Sequence, residues 1–185
     1  ESVAAEVAAL SKLGGVLIAS DDSTYPELLN QIYDPPPVLT ALGDPTLLSR
    51  PMVGMVGARN ASAAGRRFAE SMARELGEAG YVVVSGLARG IDTASHHGSL
   101  ATGTIAVLAG GIDNIYPPEN ASLYQSIAEQ GLLLCDQPLG LTPRSGHFPR
   151  RNRIVAGLAL GVVVVEATER SGALITARLA AENGR

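Results

Sequence analysis

Short apolar runs recur at Met52–Val56, Tyr81–Val84, Thr104–Leu108, Leu132–Cys135 and Val162–Val165. Each holds four or five residues, together mostly Val, Ile and Leu, and a glycine adjoins one end of each. That length and composition predict strands. The stretches between them are long enough for helices. The clearest, Ser62 to Ala79, repeats Phe68, Met72 and Leu76 at i, i+4 and i+8, and Gly80 stops it. Another runs from Ser171 to Glu182. Continuous apolar strands alternating with amphipathic helices predict a doubly wound α/β fold, with a mainly parallel sheet covered by helices on both faces.

The first residues follow a different pattern. Ser2 to Leu13 reads as a short amphipathic helix, capped by Ser2, with Val3, Val7 and Leu10 on one face. Val16–Ala19 is a short strand. Tyr25-Pro26 opens a helical turn carrying Leu28, Leu29 and Ile32. Pro35, Pro36 and Pro37 then form a stiff extended joint. A boundary at that joint divides the chain into an N-terminal segment, 1–37, and a Rossmann-like domain, 38–185. No internal repeat or low-complexity segment is present.

The 185 residues suffice for one such domain, and 46% hydrophobic against 17% charged residues is a globular composition. Many of the 21 glycines directly follow the apolar runs, where α/β proteins place ligand loops. A formal net charge of −4 argues weakly against nucleic-acid binding, so any such site has to be local. Cys135 is the only cysteine, which excludes an intrachain disulfide and a cysteine-rich zinc site and fits a reducing, cytoplasmic setting. The apolar runs are too short to cross a membrane, and the N-terminus lacks the layout of a signal peptide.

Four motifs follow predicted strands. In the first, Met55 to Ser62, Gly57 lets the backbone approach a ligand, Arg59 offers a guanidinium fork, and the next helix start offers free N–H groups. An ordinary turn with an exposed arginine explains it equally well. The second is Val84-Ser85-Gly86-Leu87-Ala88-Arg89-Gly90-Ile91-Asp92. It suits a nest of N–H groups under Arg89, with Asp92 capping the next helix or orienting Arg89. Asp92 with His96 and His97 is too thin a set for a metal site. One of the two histidines packs under the loop or bonds backbone.

The third motif, Phe148-Pro149-Arg150-Arg151-Asn152-Arg153, gathers three arginines beside an aromatic ring with no acid nearer in sequence than Asp136 and Glu166. That concentration near a helix N-terminus favours an anion site over a solvated charge run. The fourth runs from Val165 to Thr176. Ser171 and Gly172 present donors there, and Glu166 anchors an arginine in preference to acting as a general base. Loops after the strands of a parallel sheet share one edge, so all four motifs should converge there. Several arginines from separate loops suit an extended polyanion better than one small phosphate.

These segments resemble the DNA-processing protein A (DprA, also called Smf) family. The resemblance is carried by Ser85–Asp92 with His97 and Leu100, by Tyr116-Pro117-Pro118-Glu119-Asn120, by Phe148–Arg153 and by Ser171–Ala177. Tyr25–Leu29, Pro36–Leu39 and Val56–Arg59 fit as well. The resemblance implies an extended Rossmann-like fold without cofactor, metal or catalysis. It also implies a cytoplasmic protein that binds and protects single-stranded DNA and helps load the RecA recombinase in natural transformation, as a homodimer.

Arg59, Arg89, Arg150, Arg151 and Arg153 become the leading DNA contacts, with Gly57, Ser85, Gly86, Gly90, Phe148, Asn152, Ser171 and Gly172 around them. Asp92, His97 and Glu166 are orienting residues. Cys135-Asp136 and Ala58 depart from the family's usual Ser-Glu and Ser. The family pattern continues past Arg185 into a further strand. A competing reading is a nucleotide-processing enzyme of the phosphoribohydrolase type, but Glu169–Leu174 lacks that group's double glycine. A third reading is an assembly surface for protein partners.

Overall fold

A computed structural model describes residues 3–169 and 171–185. Ser2, the expected cap of the first helix, and Arg170 of the fourth motif lie outside the described residues. The chain forms seven strands: β1 (Val16–Ala19), β2 (Val38–Gly43), β3 (Met52–Gly57), β4 (Val82–Ser85), β5 (Thr104–Val107), β6 (Leu132–Cys135) and β7 (Val162–Val165). They form one sheet in the order β1-β2-β6-β5-β4-β3-β7. The β6-β5, β5-β4, β4-β3 and β3-β7 pairs are parallel, and β1-β2 and β2-β6 are antiparallel. The expected doubly wound, mainly parallel sheet is present.

Among the described residues seven α-helices flank or connect the strands: α1 (Val3–Lys12), α2 (Glu27–Asn30), α3 (Ala63–Glu78), α4 (Ile91–Ser99), α5 (Ala121–Gln130), α6 (His147–Leu158) and α7 (Gly172–Glu182). Helices cover both sheet faces, which is why every position of β4, β5 and β6 is buried and most are apolar. On one face Val82, Val84, Ile105 and Val107 pack with Leu29 of α2, Ile154 and Leu158 of α6 and Ala173 of α7. On the other, Ala106 and Leu133 meet Leu10 of α1 and Leu123 and Ile127 of α5. Val83 on that same face meets Ala69 and Ala73 of α3 and Ala94 of α4.

Two local expectations are corrected. The periodic Phe68, Met72 and Leu76 do not form the buried stripe of α3. Its buried residues are Gly65, Ala69, Ala73 and Gly77, and Phe68 is 52% exposed. Small side chains let α4 come close: a Cβ on Gly98 would lie 3.0 Å from the Ala73 Cβ. On α1 only Leu10 is buried, while Val3 and Val7 face outward. Strand β2 was not anticipated. It follows the proline joint and pairs with β1 as well as β6, and the Tyr25 hydroxyl fixes the joint by donating to the Pro36 carbonyl at 2.6 Å.

Candidate nucleic-acid interface

The carboxyl ends of β3, β4, β5, β6 and β7 open on one edge of the sheet, and the loops that follow them build a single groove there. One lobe, about 270 Å³, lies between the β4 loop (Gly86, Ala88, Arg89) and the β5 loop (Asn114, Tyr116, Glu119). The other, about 790 Å³, runs over the β3 loop to the start of α7 at Ser171 and Gly172. Arg59, Tyr116, Phe148 and Arg151 line both lobes. At the divide the Arg59 guanidinium lies 5.4 Å from the centre of the Phe148 ring, within cation–π range. Tyr116 meets the other part of that cluster, its ring centre 5.5 Å from that of Phe148 and tilted by 50°.

Beneath the groove lies a buried polar frame, and several residues expected to meet a ligand belong to it. The Ser85 hydroxyl donates to the Met55 carbonyl at 2.5 Å and is fully buried. The Gly86 and Ala88 N–H groups donate to Asp92 Oδ2, at 3.1 and 3.3 Å. The nest expected for a phosphate is thus filled by the protein's own carboxylate. Burial drives the Asp92 pKa upward, against Arg151 and those two N–H donors. Arg151 donates to the Gly86 carbonyl at 2.6 Å and to the Val107 carbonyl. Burial lowers its pKa to about 10, Asp92 opposes that shift, and Arg59 adds to it.

This frame accounts for two glycines by close approach. A Cβ on Gly86 would lie 2.5 Å from the Arg151 guanidinium, and one on Gly57 would lie 2.9 Å from Ile91 Cβ. Gly57 also lies against the Val165 carbonyl of β7, and it lines the larger lobe. Gly90 turns into α4 at φ 80°.

Arg153 is also committed. It donates to Asp136 Oδ2 at 2.6 Å and to the Asp34 carbonyl at 2.7 Å, and it lines neither lobe. The departure Asp136 is therefore its partner, so the acid eliminated by sequence distance is adjacent in space. Arg150 is exposed but lines neither lobe. Arg89 is exposed at the rim of the smaller lobe and faces Glu119 at 3.6 Å. Asn152 lines the larger lobe and reaches the Gly172 carbonyl at 3.3 Å. Ser171 Oγ is buried there without a hydrogen-bond partner among the described residues.

Glu166 holds no arginine by a direct ion pair among the described residues. With φ at 52° it turns back and accepts from the Ser62 N–H at 2.8 Å and from the Ser62 hydroxyl. Those bonds pull its pKa down, and its carboxylate covers the α3 start that was expected to receive an anion. His96, not His97, is the buried histidine, and it meets Thr104 at the amino end of β5 and not a loop of the groove; His97 is exposed. No group of three or more potential metal ligands occurs among the described residues.

Sequence reasoning gave no role to Asn114, Tyr116, Glu119 and Asn120. Asn120 Nδ2 donates to the Leu87 carbonyl and to Thr93 Oγ1, both at 2.9 Å, and so holds Leu87 at a φ of 57°. The available signal was position: Tyr116–Asn120 follows β5, so it falls on the same edge as the four motifs.

Fold and groove together define an α/β protein with arginines and aromatic rings along the carboxyl edge of its sheet. The chain belongs to the DNA recombination-mediator protein A family, whose model matches residues 16–185. It is 47% identical over 182 residues to DNA processing protein DprA of Bacillus subtilis, covering 97% of this chain and 61% of that protein. The structure of DNA processing protein A from Streptococcus pneumoniae superposes with a TM-score of 0.89 at 43% identity, over 96% of this chain and 64% of the other. The Helicobacter pylori protein, described for its single-stranded DNA binding mode, gives 0.87 at 32% identity, over 94% and 79%. The chain thus spans under two thirds of the length of the Bacillus relative.

Proposed function

We propose that the chain binds single-stranded DNA along the edge groove and acts by binding rather than catalysis. The observation that carries this is the meeting of Arg59, Arg89, Tyr116 and Phe148 in one groove on a protein of net charge −4. Guanidinium forks take backbone phosphates, and an exposed aromatic edge takes an unpaired base. A duplex hides its base faces, so a cleft of about 270 Å³ with aromatic walls fits one splayed base better than a paired one. The described single-strand binding of the Helicobacter relative supports the same reading. The site residues are Arg59, Arg89, Phe148, Asn152, Ser171 and Gly172. Arg150 stands beside the groove, and Gly57, Ser85, Gly86, Gly90, Asp92, Arg151, Arg153 and Glu166 form the frame.

Within the full-length protein, the reading extends to protection of incoming DNA in the cytoplasm, loading of RecA and a two-fold homodimer. The DNA-binding part is assigned to residues 38–185, with residues 1–37 as an N-terminal segment. Fluorescence anisotropy with a labelled oligo-dT tests the core claim. Binding that weakens with salt and survives a duplex competitor is the expected result; a preference for duplex overturns it. Light scattering of the full-length protein tests the dimer.

A further inference from the structure

We infer that the smaller lobe selects the base it receives, and that Glu119 makes it prefer guanine over thymine. This rests on the single-strand reading above. The polar groups around the lobe differ in which bonds they already make. Arg151 gives its Nη1 to the Gly86 and Val107 carbonyls and its Nε to Asn152 Oδ1, so the fork is largely held by the frame. Asn114 Nδ2 reaches Thr142 Oγ1 at 3.3 Å, and its Oδ1 accepts no hydrogen bond among the described residues. Glu119 accepts none either; its one partner is Arg89 at 3.6 Å, too far for a hydrogen bond. Arg59, against the Phe148 ring, and Arg89, facing Glu119, donate no side-chain hydrogen bond among the described residues, and both are forks suited to phosphate.

A strand that gives its phosphates to those two arginines leaves its base facing acceptors, the Glu119 carboxylate and Asn114 Oδ1. The four bases answer acceptors differently. Guanine carries two adjacent donors, N1–H and the N2 amino group, which match the two oxygens of one carboxylate. Adenine and cytosine offer one amino group beside an acceptor nitrogen. Thymine offers a single N–H between two carbonyls, and those carbonyls repel a carboxylate. The expected order is guanine first and thymine last. The side chain of Glu119 is 58% exposed, so water competes and the preference is moderate.

The test is anisotropy at fixed salt with oligo-dT, oligo(dT-dG), oligo(dT-dA) and oligo(dT-dC) of equal length. The alternating sequence avoids guanine runs. Wild-type protein should bind oligo(dT-dG) about tenfold more tightly than oligo-dT, at the low end of what one bidentate base contact supplies. Glu119→Gln should narrow that ratio to about twofold and also tighten oligo-dT, since a repelling charge is gone. A merely structural role for Glu119 would weaken all four strands together. Equal wild-type affinities, or a guanine preference that persists in Glu119→Gln, overturns the inference and leaves single-strand binding standing. If no strand binds at all, the single-strand reading fails and takes this inference with it.

Discussion

His96 on α4 has its Nδ1 2.7 Å from Thr104 Oγ1, and that hydroxyl in turn donates to the Val83 carbonyl at 3.2 Å. The hydroxyl proton is therefore used, and the imidazole must carry its proton on Nδ1. Its Nε2 is buried without a partner, so a second proton there would find no acceptor. Burial, with smaller contributions from His97 and Arg151, lowers the pKa from 6.5 to about 3. The unfolded chain then binds the proton that the folded chain refuses. His96 contributes stability that is full above about pH 6.5 and declines as pH falls toward the folded value. Urea unfolding between pH 6.5 and 5 should show a slope approaching about 1.4 kcal/mol per pH unit, flattened in His96→Gln. Two arginines separate frame from surface in the same way. Arg151→Leu leaves Asp92 buried without its counter-charge and should cost about 3–5 kcal/mol in urea unfolding. Arg89→Lys keeps the charge on an exposed side chain but loses the fork. It should weaken oligonucleotide binding while the unfolding midpoint stays within about 0.5 kcal/mol of wild type.

Helix α3 sets the position of α4 and, through it, of the loop that carries Arg89. Its buried stripe of Gly65, Ala69, Ala73 and Gly77 has no bulk to spare. Ala69→Leu should overpack the α3–α4 seam and destabilise by about 1–3 kcal/mol, with Phe68→Ala within about 0.5 kcal/mol of wild type in thermal or urea unfolding. A search for large apolar residues at helical spacing predicts the reverse. It fails because a close helix pair is marked by small residues, which look featureless on a hydropathy scale. The strands were legible for the opposite reason: β3 to β7 are covered on both faces, so each is a plain apolar run. Strand β2 holds Thr40 between Leu39 and Ala41, directly after the proline joint, and only its pairing with β1 and β6 identifies it. The N-cap of α3 at Ser62 was legible, but the Glu166 carboxylate bound to it, 104 residues away in sequence, was not.

For the whole molecule, topology brought the loops to one edge as the strand pattern required, but it did not decide which arginines remain available there. That depends on long-range partners. Asp136 precedes Arg153 by 17 residues and takes it out of the groove; Gly86 and Val107 lie 65 and 44 residues from Arg151 and hold its Nη1 against the groove floor. Counting the five arginines named as leading DNA contacts gives five phosphate contacts. Removing the two committed ones leaves Arg59 and Arg89 in the groove and Arg150 beside it. Each phosphate neutralised on a single strand contributes about −0.7 to the slope of log affinity against log salt. Five contacts would give about −3.5, whereas two or three give about −1.4 to −2. Anisotropy with oligo-dT across a salt series should return the shallower range. Replacing Arg59 or Arg89 with alanine should make the slope shallower by about 0.7 in each case. Arg153→Ala should leave the slope as it is and lower the unfolding midpoint, because its loss strands the buried carboxylate of Asp136. A wild-type slope near −3.5, with Arg153→Ala making it shallower, would show that the Arg153–Asp136 pair opens to meet DNA.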